Sequence, residues 1–155
     1  MQARILRMLA AAALVAVAGC AKAPAPEPVA SRANLYPNET PELRSLIEGA
    51  ASSHGVPVAL VQRVVVREST HRPGARNGPY YGLMQILPAT ARGMGYQGSP
   101  EGLLDAETNL EYGVKYLRGA WIVSGGDPEE AVGWYARGYY YEAMRLGLLE
   151  ETGLR

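Results

Sequence analysis

The sequence predicts an all-α fold, with a single compact helical domain that follows a signal peptide and a proline-rich tether. Helix-start residues recur along the chain, either a Thr or Asp followed by Pro, or a Pro alone. Between these starts, apolar residues recur at the spacing of one helix face. No stretch alternates apolar and polar residues as a half-buried strand would. At 155 residues, the chain has room for one domain.

The first 19 residues are predicted to be a signal peptide, since two arginines precede an eleven-residue apolar run at 8–18 that is too short to span a membrane. Small residues before the chain's only cysteine resemble a bacterial lipobox. We therefore expect Cys20 to be lipidated, with Cys20 as the mature N-terminus. The alternative is an ordinary signal peptide with an incidental cysteine. Ala21 follows Cys20, which by resemblance to enterobacterial sorting rules favours a periplasmic protein anchored to the outer membrane.

Residues 20–41 form the predicted tether between Cys20 and the folded domain at 42–155. Five prolines lie in this segment, at positions 24, 26, 28, 37 and 41. A proline-rich chain rises ~3.1 Å per residue, so the tether could span roughly 60 Å. The alternative is a disordered segment that does not serve to extend the domain away from the membrane.

The first two helices begin at prolines. Thr40 is a predicted N-cap with Pro41 as the first helical residue, and Gly55 ends that helix. Pro57 opens the next helix. The run 58–70 contains three consecutive valines, which favour a strand, but its apolar residues recur at helical spacing. We therefore predict a helix over Val58–Thr70.

The remaining elements follow from similar signals. We predict, in order, a loop at 72–81, a short apolar stretch at 82–87, a helix from Pro88 broken by Gly93, a helix at 106–123, a helix from Asp127 through Tyr135, and a last helix at 139–146 ended by Gly147.

The composition excludes several functions. Without residues 1–19, 13 basic and 15 acidic residues remain, so the domain has no strongly basic character and no nucleic-acid partner is expected. One cysteine excludes an intrachain disulfide and a Cys-rich zinc site, and two histidines exclude a three-His metal site.

Glu68 is the carboxylate whose position suggests chemistry. It lies on the apolar face of the predicted helix 58–70, near its C-terminal end. Burial and the negative end of the helix should both raise its pKa above the usual value of ~4.3. Such a glutamic acid can donate a proton to a leaving group and take one back. The alternative is a surface carboxylate, or one paired with Arg67 or Arg72.

A second catalytic carboxylate is missing. Glycoside hydrolysis usually needs two, but the chain has only two aspartates, Asp105 and Asp127, and both lie at predicted helix starts. No acid lies between residues 69 and 87. Either the chain does not cleave glycosides, or it uses one carboxylate and a nucleophile supplied by the substrate.

Three stretches together resemble one family. They are ES at 68–69, GLMQILPATA at 82–91 and NLEYGVKYL at 109–117. In these, the chain resembles the soluble-type (SLT domain) lytic transglycosylases of bacterial peptidoglycan metabolism. The resemblance runs from about residue 46 to 147 and implies a goose-lysozyme-like helical fold.

The resemblance implies a reaction and a single catalytic residue. Glu68 would be the only acid/base, cleaving the β-1,4 bond between N-acetylmuramic acid and N-acetylglucosamine. The muramoyl C6 hydroxyl would then close onto the anomeric carbon, leaving a 1,6-anhydro end and consuming no water. The resemblance implies no metal and no organic cofactor.

It also implies further site residues. Gln85 matches a glutamine that contacts the glycan near the cleavage point, with a loop-bracing amide as the alternative. Leu87 falls where some members have a substrate-contacting Met. Asn77 lies near where relatives place a Ser or Asn that faces the sugar. Ser69 is expected to brace the helix end that carries Glu68.

One motif departs from the family. Tyr135 matches the tyrosine of Ala-x-x-Tyr-Asn-x-Gly and is expected to orient Glu68 or to donate to the substrate. The segment here reads VGWYARG at 132–138, so Ala136 replaces the usual Asn and Arg137 could compensate. The tyrosines at 139–141 read mainly as core, with sugar stacking as the alternative.

The favoured function is therefore a lipid-anchored lytic transglycosylase, with glycan strands as substrate and the membrane as partner through Cys20. The alternatives are a hydrolytic muramidase of the same fold, which needs a positioned water, and a non-catalytic peptidoglycan-binding lipoprotein, which only Ala136 supports. A plain structural lipoprotein would not explain the GLMQ block. The sequence leaves four questions open: whether cleavage occurs at chain ends or within strands, whether stem peptides are required, what the oligomeric state is, and which protein partners exist.

Overall fold

A computed structural model describes residues 34–155. The predicted signal peptide, Cys20 and residues 21–33 of the predicted tether lie outside this range. Among the described residues, no helix is both long and apolar enough to cross a membrane.

The described part of the chain is helical, which confirms the predicted all-α class. Its α-helices are α1 (Pro41–His54), α2 (Val58–Ser69), α3 (Pro88–Gly93), α4 (Ala106–Val123), α5 (Pro128–Arg137) and α6 (Tyr140–Leu146). A 3-10 helix spans Pro100–Leu104, and β1 (Arg76–Asn77) pairs antiparallel with β2 (Tyr80–Tyr81). The central helix is α4, which packs against α1, α3, α5 and α6.

Side-chain caps begin three helices where the sequence predicts them. The Thr40 hydroxyl accepts a hydrogen bond from Leu43 N at 3.2 Å. Asp105 and Asp127 cap α4 and α5 in the same way, at 2.9 Å and 2.8 Å. Each cap satisfies one backbone donor that has no partner within its helix. At the other end of α1, Gly55 adopts a left-handed φ of 63°, which glycine tolerates at little cost.

The valine-rich segment forms α2, and periodicity rather than β propensity decides its structure. Leu60, Val61, Val64 and Val65 form one buried face of α2, each at most 3% exposed. They pack into a core with residues of α1, α4 and α5. Burial of this face outweighs the weak strand preference of the valines. Glu68 lies one turn beyond Val64 on the same helix.

Two short elements were not predicted. The segment 72–81, predicted as a loop, contains the β1–β2 hairpin, and the segment after Gly98 contains the 3-10 helix. Strands of two residues are too short to show alternation, and a 3-10 helix of five residues shows no helical period. The hairpin extends through a further bridge between Tyr81 and Ile86.

Residues 34–40, which belong to the predicted tether, lie against the helices, and we call them the docked segment. The Glu39 side chain is fully buried. It accepts hydrogen bonds from Arg44 Nε at 2.7 Å, from Gln62 Nε2 at 2.7 Å and from Tyr36 N at 2.9 Å. The compact part of the molecule therefore includes residues before 41. Proline content signals an extended chain but does not reveal whether that chain docks.

The docked segment reaches the turn that follows α2. Asn38 Nδ2 donates to Thr70 O at 3.0 Å, and the Tyr36 ring stacks on the buried His71 ring at 5.2 Å between centroids. Thr70 and His71 both have left-handed φ values, 51° and 58°. Left-handed backbone is uncommon for residues other than glycine. These contacts hold the turn that lies two residues after Glu68.

Candidate active site

Glu68 lies in the last turn of α2, with its side chain 22% exposed. Burial raises the pKa of this carboxyl above its usual value, and the nearby charge of Arg67 opposes part of the rise. Arg67 Nε lies 3.4 Å from Glu68 Oε1. The predicted direction of the pKa shift is confirmed. Of the two arginine partners considered, Arg67 is the one that pairs with Glu68.

The helix end that carries Glu68 is braced by Ser69. The buried Ser69 hydroxyl donates to Val65 O at 3.3 Å and accepts from Arg72 N at 3.3 Å. Arg72 Nε donates to Ser69 O at 2.9 Å. These bonds use backbone groups that a helix end leaves without partners. The backbone around Glu68 is therefore held from both sides.

The segment 82–87 is anchored to α4 by Asn109. The buried Asn109 side chain donates to Tyr81 O at 2.8 Å and to Leu103 O at 2.7 Å, and accepts from Met84 N at 2.8 Å. Gly82 has a φ of 74°, and a Cβ there would collide with Asn109 and the Leu103 carbonyl. A glycine is therefore required where this segment crosses Asn109.

Gln85 has a strained backbone in this segment. Its φ is 47°, in the left-handed region, which costs about 1 kcal/mol or more for a residue with a Cβ. The Gln85 side-chain nitrogen donates to Gly82 O at 2.8 Å and to Ala75 O at 3.1 Å. The amide thus braces the loop, which is the alternative role given for it above. Gln85 also lines the cleft described next, so it takes part in both.

A cleft of about 250 Å³ lies between the segment 80–90 and the end of α5. Its lining residues are Tyr80, Gln85, Ile86, Leu87, Thr90, Tyr116, Tyr135, Ala136, Arg137 and Gly138. Three of the predicted substrate-binding residues, Gln85, Leu87 and Tyr135, meet here. We call this space the catalytic cleft.

Tyr135 connects the catalytic cleft to Glu68. Burial, and after it the nearby charge of Glu68, raise the pKa of Tyr135 well above its usual value, so its hydroxyl stays protonated. That hydroxyl donates to Met84 O at 2.7 Å. In this structure the hydroxyl hydrogen of Tyr135 is engaged by the Met84 carbonyl. That Tyr135 orients Glu68 or donates to the substrate stays a prediction. Tyr135 joins α5 to the segment 82–87 beside Glu68.

Tyr116 and Tyr139 pack in turn behind Tyr135. Tyr116 on α4 packs edge-on against Tyr135 at 5.4 Å between ring centroids, and its ring is tilted against that of Tyr139 at 4.7 Å. Tyr139 O–H donates to Tyr116 O at 2.9 Å. Tyr139 is therefore core, as predicted. Tyr140 and Tyr141 are 49% and 79% exposed, so the run 139–141 is core only at Tyr139.

Asn77 lies apart from the catalytic cleft. It is exposed on β1, pairs through its backbone with Tyr80, and does not line the cleft. Met84 and Ile86, on either side of Gln85, are buried in the core. Asn109 satisfies backbone groups of the neighbouring segments, while Asp105 caps α4.

No acid lines the catalytic cleft. The carboxylates of Asp105 and Asp127 accept the capping bonds of α4 and α5, and Glu39 is buried in the docked segment's network. Within residues 34–155, no group of three or more His, Cys, Asp or Glu side chains could hold a metal ion. Glu68 does not line the cleft either, but it lies close enough to Tyr135, which does, for its charge to raise the pKa of that tyrosine.

Sequence reasoning did not single out Tyr80, Thr90 and Tyr116, which also line the catalytic cleft. Tyr112 and Tyr116 lie four residues apart and therefore on one face of α4, a pattern that could have indicated Tyr116. Nothing in the local sequence marks Tyr80, because the hairpin brings it to the cleft. A larger cavity of about 590 Å³ lies between α1 and α4 and contains none of the predicted site residues.

A comparison with protein families gives a match over most of the folded part. The family model described as the Transglycosylase SLT domain matches residues 45–142. The matched range contains Glu68, the catalytic cleft and the three stretches quoted from the sequence. It ends within α6 and begins after the docked segment.

Proposed function

The chain belongs to the transglycosylase SLT domain family, and we propose that it is a peptidoglycan lytic transglycosylase in which Glu68 is the single acid and base. Family membership supports a transglycosylase-like function that acts on peptidoglycan.

In the first step, the protonated Glu68 carboxyl gives its proton to the oxygen that joins N-acetylmuramic acid to N-acetylglucosamine. The bond from that oxygen to the muramoyl anomeric carbon breaks, and positive charge develops on the carbon. The oxygen of the neighbouring 2-acetamido group stabilises this charge, as in substrate-assisted glycosidases. A carboxyl whose pKa is raised by burial holds the proton that this step requires.

In the second step, the Glu68 carboxylate takes the proton of the muramoyl C6 hydroxyl. The C6 oxygen then bonds to the anomeric carbon and closes the 1,6-anhydro ring. Glu68 ends protonated, ready for the next cycle, and no water enters the products. Closure needs the reacting atoms held together, and the braced end of α2 keeps the carboxyl in place.

One observation carries the proposal: Glu68 is a half-buried glutamic acid with a raised pKa, and it lies close to Tyr135 of a cleft that no acid lines. Hydrolysis through two carboxylates has no second group here, whereas a reaction in which the substrate supplies the nucleophile needs only Glu68. Gln85 and Leu87 would contact the glycan along the cleft wall. Ala136 leaves that wall without the usual Asn side chain.

We also propose that the enzyme works in the periplasm, anchored through lipids on Cys20 to the outer membrane. Support comes from the apolar run at 8–18 and from the position of the only cysteine. Metabolic labelling of the full chain with a radioactive fatty acid tests this. Label that a Cys20→Ser variant loses supports the anchor, and an unlabelled wild-type chain contradicts it.

Digestion of purified peptidoglycan tests the proposed reaction. Residues 21–155, a Glu68→Gln variant and a Glu48→Gln control are incubated with sacculi, and soluble products are analysed by mass spectrometry. Glu48 is an exposed glutamate of α1, so its variant controls for charge alone. We expect anhydro-ended products from the wild type and from Glu48→Gln, and none from Glu68→Gln. Products with reducing muramic acid ends would instead establish a hydrolytic muramidase. Binding to sacculi without any products would establish a non-catalytic protein.

A further inference from the structure

A second concave surface adjoins the catalytic cleft. It has a volume of about 460 Å³ and is lined by Trp134, Arg137, Gly138, Tyr140, Tyr141, Glu142 and Arg145. We call it the aromatic hollow. Arg137 and Gly138 line both the hollow and the catalytic cleft. A ligand that fills the cleft can therefore continue into the hollow past Arg137.

The aromatic rings of the hollow are unusually open to solvent. Tyr141 is 79% exposed and Tyr140 49%, and their rings meet edge to face at 5.5 Å. Met144 and Leu146, on the same short helix α6, are also exposed. A cluster of exposed large apolar side chains on a small protein usually marks a binding surface. Flat rings suit contact with the carbon skeletons of sugars and peptides.

Arg137 is the cation of this surface that has no acid partner. Its guanidinium lies 3.8 Å above the Trp134 ring, and it forms no ion pair among residues 34–155. Arg145, the other arginine of the hollow, is paired with Glu142 at 2.5 Å and 2.8 Å through two bonds. The charges of Arg145 and Glu142 cancel. Arg137 therefore supplies the net positive charge of the residues that line the hollow and the cleft.

Stacking on Trp134 prepares Arg137 to bind an anion. The ring fixes one face of the planar guanidinium and leaves its N–H edges free for hydrogen bonds. Two parallel N–H groups match the two oxygens of a carboxylate. Intact peptidoglycan carries its carboxylates on short peptides attached to muramic acid, and muramic acid itself carries one on its lactyl group when the peptide is absent.

We propose that Arg137 binds a carboxylate of the stem peptide, and that the aromatic hollow makes the enzyme prefer peptide-bearing strands. This inference rests on the proposed function for its substrate. Arg137 is then a specificity-determining residue that takes no part in proton transfer. The lactyl carboxylate of a peptide-free strand is the other source of the same chemistry, and the test separates the two.

Binding measurements on the inactive Glu68→Gln background test this without requiring turnover. The probes are a soluble disaccharide–peptide and the matching disaccharide without peptide, measured by titration calorimetry. Adding Arg137→Gln should weaken binding of the peptide-bearing probe about tenfold, since a charge-assisted hydrogen-bonded pair contributes at least that much. The peptide-free probe should bind equally well to both proteins. Arg137→Lys should recover part of the loss.

The control is Arg92→Gln on the same background. Arg92 is exposed on α3 and lines neither the cleft nor the hollow, so this variant removes one charge elsewhere. It should leave both affinities unchanged. Equal binding of the peptide-bearing probe with and without Arg137 would overturn the proposal. A loss of equal size for both probes would also overturn it, and would assign Arg137 to the sugar or its lactyl group. If the proposed reaction fails while these affinities behave as expected, only the chemistry assigned to Glu68 is wrong.

Discussion

Glu68 and Arg67 are neighbours in the chain but lie in different surroundings. The Glu68 carboxyl is 22% exposed, whereas the Arg67 side chain is 51% exposed. Burial favours the neutral acid and the arginine favours the carboxylate, and burial has the larger effect on the pKa of Glu68. The proton that the proposed first step transfers is held by this balance.

Replacing Glu68 by Gln should lower activity about 100-fold to 10,000-fold, the usual contribution of a positioned acid or base. The same variant should unfold at a higher temperature than the wild type near neutral pH. Because the pKa of Glu68 is raised, the folded state binds the carboxyl proton more tightly than the unfolded state does. The bound proton stabilises the fold fully below pH 4.5, and this stabilisation is lost as pH rises through the pKa of the folded state. Gln is neutral at every pH and therefore avoids that loss. Melting curves at neutral and acidic pH, beside Glu48→Gln, measure this. A gain in melting temperature that does not depend on pH would argue against a raised pKa.

Replacing Arg67 by Gln should move the pH profile of activity. Without the arginine charge the pKa of Glu68 rises further, so the acid stays protonated to higher pH and the alkaline limb of the kcat profile shifts upward. Arg63→Gln, which removes the same charge one turn earlier on α2, should shift the limb less. Initial rates on soluble glycan strands across the pH range provide the measurement. Identical profiles for all three proteins would mean that Glu68 does not set that limb.

At the scale of elements, the docked segment is bound to the end of α2 through a buried charge. Burial alone would raise the pKa of Glu39, but hydrogen bonds from Arg44, Tyr36 N and Gln62 outweigh it and lower the pKa to about 2. The nearby His71 is fully buried, and burial lowers its pKa. The network therefore joins residues 36–39 to α1, to α2 and to the turn after Glu68.

Replacing Glu39 by Gln should destabilise the domain by about 3 kcal/mol near neutral pH, because Arg44 loses its partner within the network. A lowered pKa stabilises the fold above the unfolded value of 4.5, and this contribution is lost as pH falls toward about 2. The difference between the variant and the wild type should therefore shrink on acidification. Urea unfolding at several pH values tests this, with Glu101→Gln as the control, because Glu101 is an exposed glutamate of the 3-10 helix. If the free energy of unfolding differed between the variant and the wild type by the same amount at every pH, Glu39 would not be charged within this network.

The sequence predicts long elements well and their junctions poorly. Caps such as Thr40 and Asp127, and the bounds of α4, follow from local rules that the structure obeys. The docked segment could not be predicted, because the partners of Glu39 lie on two helices that only the fold brings together. The β1–β2 hairpin is too short to carry a pattern.

The candidate site shows the same division between local and distant information. Glu68 stands out locally, as an acid on an apolar helix face. The hydrogen bond from Tyr135 to Met84 O joins residues 51 positions apart and has no local signature. The left-handed backbone of Gln85 is equally hidden, since glutamine does not favour that region.

At the scale of the whole molecule, the folded part is a small helical body built around α4. Glu68, the catalytic cleft and the aromatic hollow follow one another across α2, α5 and α6. A glycan strand in the cleft would therefore continue past Arg137 onto exposed tyrosines. The docked segment lies at the end of α2, where the predicted tether joins the domain.

The central claim is that the substrate, rather than water, supplies the nucleophile. The most direct test is digestion of peptidoglycan by residues 21–155 in water labelled with heavy oxygen, followed at once by mass spectrometry of the products. If the substrate supplies the nucleophile, the muramoyl ends carry no label and are lighter than hydrolysis products by the mass of one water molecule. Labelled muramoyl ends that appear only with active enzyme, and that are absent with Glu68→Gln, would show that water attacks and would contradict the claim.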